Sequence, residues 1–161
     1  MNKSTDVIIE RLKNSELYPD IKETLKLIEN SNISILDIFV SHVISTTDAG
    51  HCTAVISGEF GRILLNNKGK ELYNHFKNVV LIDGKIKNQT VIKYLSDKDI
   101  SGTVVVLDDY IKSGITINKI ESTINKLYPS GISQPFRIKK GFFIFSKYNK
   151  DNYVINSLFK I

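Results

Sequence analysis

A chain of 161 residues, 42% of them hydrophobic, can bury one substantial core but not two, so a single domain over 1–161 is expected. The lone cysteine, Cys52, excludes an intramolecular disulfide framework and any cysteine-rich zinc site, and reads as a small buried hydrophobe beside a strand. The net charge of +5, from 22 basic and 17 acidic residues, is spread along the chain without the arginine stripe or interleaved aromatics that nucleic-acid binding requires. No apolar run is long enough to span a bilayer. The opening MNKSTDVIIERLKN is acidic where a signal peptide is apolar, so a cytoplasmic protein without a membrane partner is expected.

In chain order, two short helical patterns come first, Asp6 to Lys13 and Tyr18 to Glu29, the second opened by Pro19. Val7, Ile8, Leu12, Leu25 and Ile28 would face the core. The β-branched stretch Ile33 to Ile44 predicts one or two strands. Thr53 to Ile56 predicts a strand, followed by the turn Ser57-Gly58-Glu59-Phe60-Gly61 and a helix from Arg62 to Phe76. Val79 to Ile82 and Val104 to Leu107 are short, continuously apolar runs, as strands covered on both faces are. Between them, Asn88 as an N-cap and Val91, Ile92 and Leu95 on one face suggest a helix over Gln89 to Asp97. Asn118 to Leu127 predicts a helix, Gly141 to Phe145 a strand, and Tyr153-Val154-Ile155 an edge strand. Strands alternating with helices imply right-handed crossovers, hence an α/β fold with a central, mostly parallel sheet flanked by helices.

The chemistry concentrates in Val104 to Ile117, VVVLDDYIKSGITI. Asp108 and Asp109 follow the buried strand, and ligands in open α/β sheets bind beyond the carboxyl ends of strands, where two adjacent carboxylates can meet a vicinal diol or a hydrated cation. Ser113, Gly114 and Thr116 then open a helix. Its N-terminal N–H groups and dipole favour a phosphate, Gly114 permits close approach, and the hydroxyls add donors. Other chemistry is sparse. His42, His51 and His75 lack metal-ligand spacing, and Ser57 lacks the G-x-S-x-G context of a nucleophile. A magnesium-dependent nucleic-acid enzyme of the Toprim kind, built on Glu59, Asp108 and Asp109, expects a D-x-D spacing that the adjacent pair Asp108-Asp109 does not give. Phe136, Phe142, Phe143, Phe145 and Tyr148 read as core.

The segment from Val104 resembles the PRPP-binding signature of type I phosphoribosyltransferases, four hydrophobics followed by D-D-x-x-x-[ST]-G-x-T, and every defining position is filled. The resemblance implies a core over about 53–145, residues 1–52 as N-terminal helices and hood, and 146–161 as a C-terminal segment that can share in the hood. It implies that Asp108 and Asp109 contact the ribose hydroxyls and orient the sugar for catalysis, and that Lys112, Ser113, Gly114, Ile115 and Thr116 cradle the 5-phosphate. It places Ser57, Gly58, Glu59, Phe60, Gly61 and Arg62 at the pyrophosphate loop, where Glu59 is an awkward companion unless it reaches a metal or points away. It makes residues 83–103 a mobile catalytic loop whose Lys85, Lys87 and Lys93 reach pyrophosphate, in competition with the packed helix read from the same residues. The implied activity is transfer of the phosphoribosyl group of PRPP to a nitrogen of a nucleobase, with Mg2+ held mainly by PRPP rather than by protein ligands. The rival is a protein of the same fold that senses PRPP or a nucleoside monophosphate without turnover. A homodimer is compatible with either.

Overall fold

A computed structural model describes residues 3–86, 89–94, 103–127, 138–148 and 154–161. Three helices open the chain: α1 (Lys3–Lys13), α2 (Tyr18–Ser31) and α3 (Ile35–Thr46). They are followed by β1 (Cys52–Ser57), α4 (Gly58–His75), β2 (Asn78–Ile86), β3 (Gln89–Tyr94), β4 (Thr103–Ile111), α5 (Ile115–Leu127), β5 (Ile138–Ser146) and β6 (Val154–Lys160). The strands form one sheet in the order β3-β2-β1-β4-β5-β6, in which β2, β1, β4, β5 and β6 are mutually parallel and β3 runs antiparallel at the edge beside β2.

The period-2 alternation of the strands divides the core in two. Ala54, Ile56, Val105, Leu107, Phe142 and Ile144 face α1 to α4, whereas Val55, Val80, Val104, Val106 and Phe143 face Ile117, Ile120 and Ile124 of α5. Both faces are covered, which is why the strand sequences carry apolar runs instead of alternation. Cys52 is buried at the start of β1, as expected. His75 lies buried at the end of α4, its Nε2 2.7 Å from the Thr47 hydroxyl oxygen.

The region 33–44 is not a strand. Ser34 accepts a hydrogen bond from the Asp37 N–H as an N-cap, and Ile35, Leu36, Phe39, Val40 and Val43 bury one helical stripe. Val7 is 39% exposed and does not face the core, while Ile8, Leu12, Leu25 and Ile28 do. Gln89 to Tyr94 is neither a helix nor a loop but a strand, paired from Val80↔Tyr94 to Ile86↔Gln89 with an irregularity between Asp83 and Lys85. Residues 95–102 and Lys87 lie outside the described residues, as does Phe136. Among the described residues no single helix is long and apolar enough to cross a membrane; α2 and α3 would satisfy length and composition only as a pair bent by 102°, and both bury their apolar faces in the core.

Topology and strand length together create the crevice. The chain moves from β1 to β2 on one side and later to β4 on the other, so the switch of direction falls at β1. The β1 pairing ends at Ser57↔Ile82 and Ile56↔Leu107, yet β2 continues to Ile86 and β4 to Ile111. Beyond the short central strand, the two neighbours stand as walls with a gap between them.

Candidate functional site

A cavity of about 630 Å³ occupies that gap. Ser57, Gly58 and Glu59 line it from the β1–α4 junction, Asp108 and Asp109 from β4, and Lys112 to Thr116 from the turn into α5. The sequence-predicted ribose and phosphate residues therefore meet in one place. Asp108 and Asp109 are not beyond the strand, as expected, but inside it, since β4 runs on to Ile111. They face the cavity because the β1–β4 pairing stops at Leu107, one residue before Asp108.

Alternation sends the two carboxylates to opposite faces. Asp108 follows Val104 and Val106 toward the α5 side, and Asp109 follows Val105 and Leu107 toward the N-terminal helices. Both are buried. The Asp108 Oδ1 accepts from the Asp109 N–H at 2.9 Å, and the Asp109 Oδ1 accepts from the Tyr110 N–H at 3.0 Å. Burial, reinforced by the charge of Asp109, pushes the Asp108 pKa well above the ordinary carboxyl range, so Asp108 holds its proton to higher pH than an exposed aspartate. Burial and the same carboxylate also raise the Tyr110 phenol.

The turn that precedes α5 is built on Gly114, whose φ of +80° lies in the left-handed region and whose missing side chain leaves room for the Tyr148 ring; a Cβ there would fall 2.6 Å from Cε2. Helix α5 begins at Ile115, so Ile115 and Thr116 belong to its first turn, and only Lys112 to Gly114 form the connection. The Asn118 N–H already returns to the Gly114 carbonyl at 3.0 Å, while N–H groups of a helix's first turn have no intrahelical partner and point out along its axis. Lys112 pairs with Glu16 at 3.2 Å, and both line the cavity.

The expected pyrophosphate loop is shorter than a loop. Helix α4 starts at Gly58, directly after the last residue of β1, with Gly58 at φ +63° making the reversal. Ser57, Gly58, Glu59 and Arg62 line the cavity, whereas Phe60 is fully buried against Phe39 and Gly61 is buried against Ile56 and Leu81. Phe60 and Gly61 serve the core. Lys85 lies in β2 at the irregular part of its pairing with β3, and Lys93 in β3 is in register with Leu81.

One participant was not anticipated. Arg11 reaches from α1 into the cavity, where its Nε and Nη2 contact the Asp109 Oδ2 at 3.1 and 3.0 Å and its Nη1 contacts the Glu59 Oε2 at 2.9 Å. Burial works against the guanidinium charge, and the facing Asp109 and Glu59 carboxylates outweigh it, so the pKa of Arg11 lies above its ordinary value. Glu59 is thereby turned onto Arg11. Helix α1 is placed by Ile8, Ile9 and Leu12, all buried. Three such side chains contribute about 1.5–3 kcal/mol each, more in sum than a charged hydrogen bond at about 1.5–3 kcal/mol, so apolar packing is enough to hold α1 where Arg11 meets the site.

No protein-family model matches the chain, and no curated protein matches it in sequence. Solved structures do match. The adenine phosphoribosyltransferase of Thermoanaerobacter pseudethanolicus superimposes with a TM-score of 0.50 at 17% identity, over 79% of this chain and 78% of that one. The orotate phosphoribosyltransferase of Aeropyrum pernix gives 0.50 at 18% identity, over 83% and 73%. The UMP synthase of Leishmania donovani gives 0.53 at 12% identity, over 83% of this chain but 28% of that much longer one. Identities this low speak for architecture alone, and the architecture is shared: this chain has the type I phosphoribosyltransferase fold.

Proposed function

We propose that this protein is a phosphoribosyltransferase, binding PRPP in the β1–β4 crevice and transferring its phosphoribosyl group to a nitrogen of a nucleobase with release of pyrophosphate. The observation that carries the reading is the meeting, in one cavity, of the Asp108-Asp109 pair and the Gly114 turn at the α5 N-terminus. In this reading the helix terminus and the Ser113 and Thr116 hydroxyls take the 5-phosphate. The two carboxyls take the ribose hydroxyls, Asp109 as acceptor and Asp108, when it holds its proton, also as donor. The negative charge of the Asp109 carboxylate lowers the cost of the positive charge that would develop on ribose C1 as pyrophosphate leaves.

Among the described residues no three His, Cys, Asp or Glu side chains converge to hold a metal. Magnesium, in this proposal, arrives on the oxygens of PRPP, as this ion commonly does.

A second reading, a protein that binds PRPP or a nucleoside monophosphate without turnover, is favoured by the Arg11 contact, which occupies Asp109 in the free protein. Calorimetric titration with PRPP and Mg2+, followed by a pyrophosphate-release assay over adenine, guanine, hypoxanthine, xanthine, uracil and orotate, separates the two. Binding with release for one base is the expected result. Binding without release for any base selects the second reading, and no binding at all overturns both.

A further inference from the structure

Arg11 uses all three guanidinium nitrogens at once: Nε and Nη2 on the Asp109 Oδ2, and Nη1 on the Glu59 Oε2. With Tyr110 donating to the other oxygen, both Asp109 oxygens are engaged, and the Asp109 side chain is only 3% exposed. Three of its roughly four lone-pair sites are thus taken, and with so little exposure Asp109 offers a ribose diol no room while Arg11 remains in place. The same guanidinium bridges the β4 carboxylate expected to meet the sugar and the α4 start expected to meet pyrophosphate, so it touches two halves of the site.

We propose that Arg11 is a specificity residue that closes the sugar subsite against ligands lacking a diphosphate. The inference rests on the phosphoribosyltransferase reading of the site. A vicinal diol can replace the two N–H donors on Asp109 with two O–H donors, so the carboxylate loses nothing on exchange. The guanidinium does lose, because it keeps only Glu59, which is 54% exposed and gives a weakly held pair. A diphosphate at the start of α4 restores what Arg11 gives up, with planar, two-pronged hydrogen bonding that suits guanidinium. Ribose 5-phosphate offers the diol but no diphosphate, and bears the full cost of opening. The side chain is 28% exposed and sits on a helix anchored by Ile8, Ile9 and Leu12, so it can swing without α1 leaving the core.

The test is calorimetry with two ligands, ribose 5-phosphate and PRPP with Mg2+, on the wild type and Arg11→Gln. Removing the guanidinium should tighten ribose 5-phosphate about tenfold, the lower end of what a charged hydrogen bond is worth, and should weaken or leave unchanged the binding of PRPP. The preference for PRPP over ribose 5-phosphate then falls by at least about tenfold. Arg11→Lys keeps the charge but cannot fork between the two carboxylates, and should relax the preference part of the way; it carries the test should Arg11→Gln not fold. A preference unchanged in a folded variant, with both ligands still bound, overturns the role of Arg11 alone. Failure of the wild type and both variants to bind either ligand overturns it together with the phosphoribosyltransferase reading.

Discussion

Replacing Gly114 by alanine separates a phosphate-binding turn from an ordinary connection, and its cost can be worked from two terms. The first is conformational: at φ +80° an L-residue carries about 1–2 kcal/mol. The second is steric, since the new Cβ would stand 2.6, 2.9 and 3.1 Å from Cε2, Cζ and Oη of Tyr148. That ring is half-buried and can give at its tip, so we add only about 1 kcal/mol, for a total of about 2–3. In a domain of this size the loss lowers the melting temperature by about 5–10 °C. Gly58→Ala is the internal control, because at φ +63° it meets nothing within 4 Å and bears the conformational term alone. Combining Gly114→Ala with Tyr148→Ala should recover the steric term and no more, which a double-mutant cycle measures. Relief of the clash is expected to shift the turn's N–H groups relative to the cavity. Affinity for inorganic phosphate or ribose 5-phosphate should then fall at least about tenfold by calorimetry, the loss of one charge-assisted bond. A variant that melts lower yet binds phosphate like the wild type would show that the turn is structural and the phosphate lies elsewhere.

Asp108→Asn tests the buried carboxyl in the free protein. Because the folded-state pKa of Asp108 is raised above the unfolded value of about 3.9, the stability linked to its proton is full below that pH and is lost as pH rises through the folded pKa. Denaturant unfolding should find the wild type losing ground to the variant as pH climbs from about 4, and a difference constant with pH would sink the assignment. Ser34→Ala removes the N-cap of α3. With the cap bond as long as 3.4 Å, the loss should sit at the low end of the usual range, about 0.5–1 kcal/mol, read as a shift of urea midpoint at constant slope; no shift would mean the cap contributes nothing.

Most elements were legible because their signals are local. The apolar runs at Val55, Val80 and Val105 are strands buried on both faces, and Pro19 does open α2. The two misreadings have different causes. In α3, β-branched content argued for strand, but Ile35, Leu36, Phe39, Val40 and Val43 recur at helical spacing behind a Ser N-cap, and the period outweighs propensity. In β3 the period itself misled. Val91 and Ile92 suit a helix face as well as a strand, and what decides is the ladder offered by β2 from Val80 to Ile86, a partner that the residues of 89–94 do not encode among themselves.

The site divides along the same line. Residues 108–116 could be read because strand, carboxylates and turn are contiguous, so the whole arrangement fits within one short string. Arg11 could not, because it meets Asp109 across 98 positions of sequence and Glu59 across 48, and only the docking of α1 brings them together. A weak signal was nonetheless present. The chain has only three arginines, Arg11, Arg62 and Arg137, among a large majority of lysines, and two of the three line the cavity. A lysine ammonium serves as well as a guanidinium wherever a solvated positive charge suffices, so a composition dominated by lysine says that most positions ask for no more. What arginine offers and lysine lacks is a planar fork that can bridge two anions at once. Arg11 between Asp109 and Glu59 is that case, and the argument requires that Arg11→Lys fail to reproduce the wild-type preference between the two ligands even though it preserves the charge.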